Sequence, residues 1–160
     1  MDDAEAIVRH EPEGRKAELR LWLRLLTTTN LVSNEIRRRL RAEFNVTLPQ
    51  FDLLSQLERE SGGLRLSDLS KRMMVTPGNL TGLVDRLVAE GQIAREQMPD
   101  DRRVVMVRMT DQGRREFSRM ARAHQDWIAA MFSGLPPQEQ MLLTQELAVL
   151  KKSVSDCRAP

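Results

Sequence analysis

Only one cysteine, Cys157, occurs in the 160 residues, so no disulfide can close within the chain and nothing calls for an oxidising compartment. Tyrosine is absent and aromatic residues make up 4%, a composition that suits aliphatic helix packing better than a β-sandwich. No apolar run reaches membrane-spanning length and no basic-plus-apolar leader is visible, so a cytoplasmic protein with no membrane partner is expected. The two histidines, His10 and His124, stand alone, and no His/Cys/Asp/Glu set has ligand spacing, so neither a metal nor a cofactor is expected. Glycine-rich phosphate loops, nucleophile elbows and carboxylate pairs with a base are also missing, which argues against an enzyme. Neither charge sign dominates: 25 basic against 23 acidic residues leave a net +2, too little to demand an anionic partner.

The charge is unevenly placed. Asp2, Asp3, Glu5, Glu11, Glu13 and Glu18 make the first twenty residues acidic, whereas Arg37, Arg38, Arg39 and Arg41 form a dense basic run. From Lys16 to about Glu43, Leu19, Trp22, Leu26, Val32, Ile36 and Leu40 lay an apolar stripe along one long helix. Pro49 suits a first helical turn, and Phe51, Leu54 and Leu57 follow on a second helix that ends before Gly62 and Gly63. Leu64 to Leu66 reads as a short extended piece, after which Ser67 is placed to cap a third, short helix carrying Leu69, Met73 and Met74. Thr76 caps a fourth, with Pro77 at its first position, Leu80, Leu83, Val84 and Leu87 facing inward, and Gly91 as its stop.

Ile93 to Arg95 and Val104 to Met109 read as two strands joined by the polar loop Gln97 to Arg103. Thr110 caps a long fifth helix striped by Phe117, Met120, His124, Trp127, Ile128 and Met131. Beyond Pro136 and Pro137, Leu143, Leu147, Leu150 and Val154 mark a sixth. The fold class is mainly α with a small β wing: a winged helix-turn-helix over 48–110, flanked by long helices over 16–47 and 111–156 whose stripes call for a second copy.

In a helix-turn-helix the first helix braces the second, whose N-terminal residues reach base edges. Asn79 and Thr81 are placed to read bases and Arg86 to hold a phosphate, although the same residues also suit an ordinary solvated helix. Arg102 and Arg103 at the hairpin tip, with Asp101 to orient one of them, are placed for a minor groove; a surface ion pair is the plainer reading.

The segments VTPGNLTGLVDRLVAEGQI, PDDRRVVMVRMTDQG and LPQFDLL resemble the core signature of the multiple-antibiotic-resistance regulator (MarR) family over about residues 20–150. The resemblance implies a homodimeric, effector-responsive transcriptional regulator, most commonly a repressor, on a palindromic double-stranded DNA operator. It assigns the minor-groove contact to Asp101 and Arg103 and lines the recognition helix with Thr76, Pro77, Asn79, Thr81 and Arg86, with Ser67, Lys71 and Arg72 on the helix before it. Gly82 departs from the bulkier polar residue common there. The terminal helices are implied to form the dimer interface. An alternative from another class is a winged-helix protein-interaction module that does not touch DNA.

The arginine run from 37 to 41 fans around its helix, so the four cannot serve one face. They suit either a solvated helix C-terminus, where cations favour the dipole, or an anion site. The stretch LWLRLLTTTNLVSNEIRRRLRAEFNVTLPQFDLL is similar to regulators of aromatic-acid degradation that respond to hydroxycinnamoyl-CoA thioesters. On that basis the expected effector is an aromatic acid or aryl-CoA thioester. Its ring would sit among Trp22, Leu25, Leu26, Phe51, Leu54 and Trp127, with Arg37 and Arg38 holding phosphates. Cys157, near the C-terminus, is expected to be inert.

Overall fold

Helix α1, Lys16–Phe44, buries only Ile36 and Leu40, both near its C-terminal end. The computed structural model describes residues 16–98 and 104–157. The chain leaves α1 through Asn45, whose φ of 55° lies in the left-handed region that asparagine tolerates better than most residues. Helix α2, Leu48–Glu58, opens on a reciprocal cap: the Gln50 backbone N–H donates to Thr47 Oγ1 at 3.4 Å, and the Thr47 N–H donates to Gln50 Oε1 at 2.9 Å. Two otherwise orphaned helix-end donors are satisfied this way. Gly63 then turns the chain at φ 83°, and a Cβ there would lie 2.6 Å from the Val107 carbonyl oxygen.

That close approach lets β1, Leu64–Arg65, pair with β3, Val105–Met109, so that Leu64 stands opposite Val107. Strand β2, Ile93–Gln97, pairs with the other side of β3, from Ile93 opposite Met109 to Gln97 opposite Val105. The sheet is antiparallel with the order β1-β3-β2. The hairpin expected from the sequence is present, and the short extended piece joins it as a third strand.

Helix α3, Leu66–Met73, corrects one expectation: it begins before Ser67, its capping position is Arg65, and no side chain caps it. Arg65 is held in register opposite Met106, so the chain passes from strand to helix without a free capping residue. Asp68 in the first turn instead places negative charge near the positive end of the helix dipole. Met74 follows in the left-handed region, and Ser70 Oγ donates to the Val75 carbonyl at 2.7 Å, closing the turn into α4, Pro77–Ala89. Thr76 caps α4 as expected, its Oγ1 accepting from the Asn79 N–H at 3.4 Å.

Leu40, Leu53, Leu54, Leu57, Leu69, Leu80, Val84, Leu87 and Val107 are completely buried and form the core between these helices and the sheet. Full burial of each leucine contributes about 1.5–3 kcal/mol. Helix α5, Asp111–Phe132, starts where Thr110 Oγ1 accepts from the Gly113 N–H at 2.9 Å and donates to the Gly91 carbonyl at 2.7 Å. Its Phe117 and His124 rings lie 5.5 and 5.0 Å from the ring of Phe51 on α2.

The chain divides into two compact units, Met1–His124 and Gln125–Pro160. The second holds the last turns of α5 and helix α6, Pro137–Asp156. Gln140 Nε2 donates to the Leu135 carbonyl at 2.8 Å and fixes the turn that leads into α6. None of α6 is buried, and Met141, Leu142, Leu147 and Val149 stand in solvent.

Candidate nucleic-acid interface

The N-terminal end of α4 is the exposed end of the helix-turn-helix. Thr76, Pro77, Gly78 and Asn79 are all exposed, and Gly78 and Gly82 have open space where a Cβ would stand. Small residues here let another backbone approach closely. The Asn79 side chain is exposed and has both a donor and an acceptor group to offer. Thr81 is half-buried and its Oγ1 donates to the Pro77 carbonyl at 2.9 Å, which leaves the oxygen as an acceptor. Arg86 is exposed two helical turns further along.

On α3, Ser67 and Lys71 are exposed and line an open groove of about 540 Å³ together with Arg65, Ser70, Pro77 and Val105. Arg65 was not among the expected contacts, yet its place after the buried Leu64 in β1 turns it outward by strand alternation. Arg72 is occupied, its guanidinium lying 2.9 Å from Glu60. The hairpin is braced to α4 through Arg95 and Asp85, 3.1 Å apart, and across its own strands by an ion pair between Arg108 and Glu96. Asp101, Arg102 and Arg103 lie outside the described residues.

The residues expected to hold an effector differ widely in exposure. Leu54 is completely buried and Phe51 nearly so, which makes them core rather than the walls of an open cleft; Trp127 is buried as well. Trp22 and Leu26 are exposed and Leu25 half-buried, and Trp22 lies about 21 Å along α1 from Ile36 at 1.5 Å per residue. Nor is the arginine run free. Arg38 and Arg39 both donate to the Glu35 carboxylate, at 2.7 and 2.6 Å, and Arg37 donates to Asn34 Oδ1 at 2.8 Å. Hydrogen bonds from Arg38 and then Arg39 pull the Glu35 carboxyl down to about 2, and Glu35 in turn raises Arg38. The i+3 and i+4 spacing from Glu35 was the available signal for this pairing.

Between α2 and α5 there is a further pair of titratable groups. Burial raises the Asp52 carboxyl, opposed by His124 and Arg37, and burial lowers the His124 imidazole, opposed by Asp52.

The MarR family model matches residues 46–105, which run from just before α2 to the start of β3 and so contain the whole helix-turn-helix. A MarR-family regulator from Silicibacter pomeroyi superposes with a TM-score of 0.77 at 28% identity, over 90% of this chain and 99% of that one. Residues 46–105 match the MarR family, and the chain is similar in sequence and fold to MarR-family transcriptional regulators. A second MarR-family structure, Sco3205 from Streptomyces coelicolor in complex with DNA, gives a TM-score of 0.76 at 27% identity over 90% of this chain and 92% of its own. The HTH-type transcriptional regulator YkoM from Bacillus subtilis is 36% identical over 92 residues, and the match spans 58% of the length of each protein. MarR proteins are regulators and not enzymes. Among the described residues, no helix is long and apolar enough to cross a membrane.

Proposed function

We propose that the protein binds a palindromic double-stranded DNA operator as a homodimer in the cytoplasm, and that it is a repressor released by an aromatic acid or aryl-CoA effector. The observation that carries the reading is the exposed N-terminal end of α4, where Thr76, Pro77, Gly78 and Asn79 are presented beside the cationic edge of α3. The similar Sco3205, solved in complex with DNA, supports DNA binding here. In this reading Asn79 and Thr81 read base edges, while Thr76 and Pro77 bring the backbone close. Ser67, Lys71 and Arg86 hold phosphates, Arg72 exchanges Glu60 for a phosphate, and Arg102 or Arg103, oriented by Asp101, enters the minor groove.

The dimer is supported by apolar side chains left in solvent on α1, notably Leu21, Trp22 and Leu31, and along α6. A two-fold dimer sets two recognition helices about one DNA turn apart, which requires an inverted repeat. The test is gel mobility with the promoter region upstream of the gene. The wild type forms a discrete complex, Arg103→Ala weakens it, and Asn79→Ala lowers the preference for operator over random DNA while keeping most non-specific binding. Equal losses on both DNAs for Asn79→Ala would remove it from base reading, and absence of any complex would overturn DNA binding.

A further inference from the structure

One charged surface is left over. On α5, Arg114, Arg115, Ser118, Arg119 and Arg122 line an open groove of about 470 Å³. At about 100° per residue these five fall within an arc of about 140°, on the side opposite the buried Gly113, Phe117 and Met120. Arg114 is partly engaged, with Asp111 3.9 Å away and its guanidinium donating to the Met109 carbonyl at 3.3 Å. Among the described residues no carboxylate pairs with Arg115, Arg119 or Arg122.

This arrangement is the reverse of the run on α1. There Glu35 sits one turn before Arg38 and Arg39 and takes both guanidinium groups. On α5 the neighbours at i+4 and i+3, Arg115 with Arg119 and Arg119 with Arg122, are like charges, which destabilise a helix. Three planar forks with no carboxylate partner among the described residues, one turn apart around a serine hydroxyl, match the demands of a phosphate group, which accepts two parallel N–H bonds from each guanidinium.

Operator DNA is the less suitable occupant. The start of α5 is fastened to the far end of the recognition helix, where Gln112 Nε2 donates to the Glu90 carbonyl at 3.4 Å and Gln92 Nε2 donates to Glu116 at 2.7 Å. The DNA-facing end of α4 is about 20 Å away along a 13-residue helix. We infer that the α5 arginine groove holds the phosphate or diphosphate group of a small-molecule ligand. This rests on the proposed effector response in assigning the ligand a regulatory role, and it moves the anion anchor from α1 to α5; binding itself needs no DNA.

The test is calorimetry at low salt on the full chain, with inorganic pyrophosphate and ADP as probes. Both bind the wild type, an Arg115→Ala/Arg119→Ala variant loses at least about tenfold in affinity, and an Arg37→Ala/Arg38→Ala variant loses none. The Arg115→Lys/Arg119→Lys variant, which keeps charge but not the fork, falls between. No binding of either probe, or unchanged binding in the α5 alanine variant, overturns the inference. Loss of operator affinity in that variant without any probe binding makes the groove a DNA contact and also overturns it. Probe binding that leaves the operator complex intact supports the site and counts against the effector response alone.

Discussion

Arg95 on β2 reaches Asp85 on α4 at 3.1 Å, so the hairpin is tied directly to the recognition helix. Both side chains are well exposed, and such pairs contribute little to stability, about 0–1 kcal/mol. Their effect is on placement. Asp85→Asn is therefore expected to leave the urea midpoint nearly unchanged while weakening operator binding several-fold, even though it removes a negative charge from a DNA-facing helix. Charge alone would strengthen binding, so tighter binding by Asp85→Asn in a salt titration would show that the brace has no positional role.

Thr76→Ala removes the oxygen that accepts from the Asn79 N–H. The expected cost is about 1 kcal/mol of unfolding free energy, with Thr76→Ser close to wild type. Denaturation of the two variants side by side checks this, and an equal loss in both would place the effect outside the cap.

Gly113 is buried in the first turn of α5, and a Cβ there would run into the Gln92 carbonyl oxygen and lie 2.9 Å from the Met109 side chain. Alanine normally favours a helix over glycine by about 1 kcal/mol. Overpacking of this kind costs about 1–3 kcal/mol, so Gly113→Ala is expected to destabilise despite its better propensity. A raised melting temperature would show that the junction between β3 and α5 relaxes freely.

Burial lowers the His124 imidazole below its usual 6.5, so the unfolded chain takes up that proton first as the pH falls. The contribution of the neutral ring beside Phe51 is present above about pH 6.5 and is lost as the pH drops through the folded-state value. Asp52, raised by burial above its usual 3.8, has the opposite sign: its contribution is present below 3.8 and is lost as the pH rises through its folded-state value. Urea midpoints should therefore fall between pH 7.5 and 5.5 in the wild type and fall less in His124→Gln. An identical decline in the variant would assign the pH dependence to other groups.

What could be read in advance was local. Thr76 before Pro77, Thr110 before a long stripe, and the inward positions Leu80, Val84 and Leu87 carry their structural roles in their spacing, and each is found in that role. The start of α3 falls before Ser67 because strand pairing decides it, and the partner, Val107 for Leu64, stands 43 positions later. No periodicity reports such a contact. Leu54 and Phe51 read as cleft walls in the sequence because an apolar residue on a helix looks the same whether it faces a ligand or the core. The arginine run on α1 stands out in the sequence by its density, whereas Glu35, which takes two of its guanidinium groups, and the sparser arginines of α5, of which Arg115, Arg119 and Arg122 pair with no carboxylate among the described residues, do not.

Strand β3 lies between the other two, with α3 continuing directly from β1 and α4 leading into β2 through Gly91 and Gln92. Both helices of the DNA-facing pair are thus riveted to one central ribbon by backbone hydrogen bonds. A tilt of the hairpin carries α3 with it through two ladder positions, Leu64 opposite Val107 and Arg65 opposite Met106. The wing and the helix pair are thus joined as one lever, and in the proposed effector response a ligand would have to move that lever whole rather than bend the wing away from it.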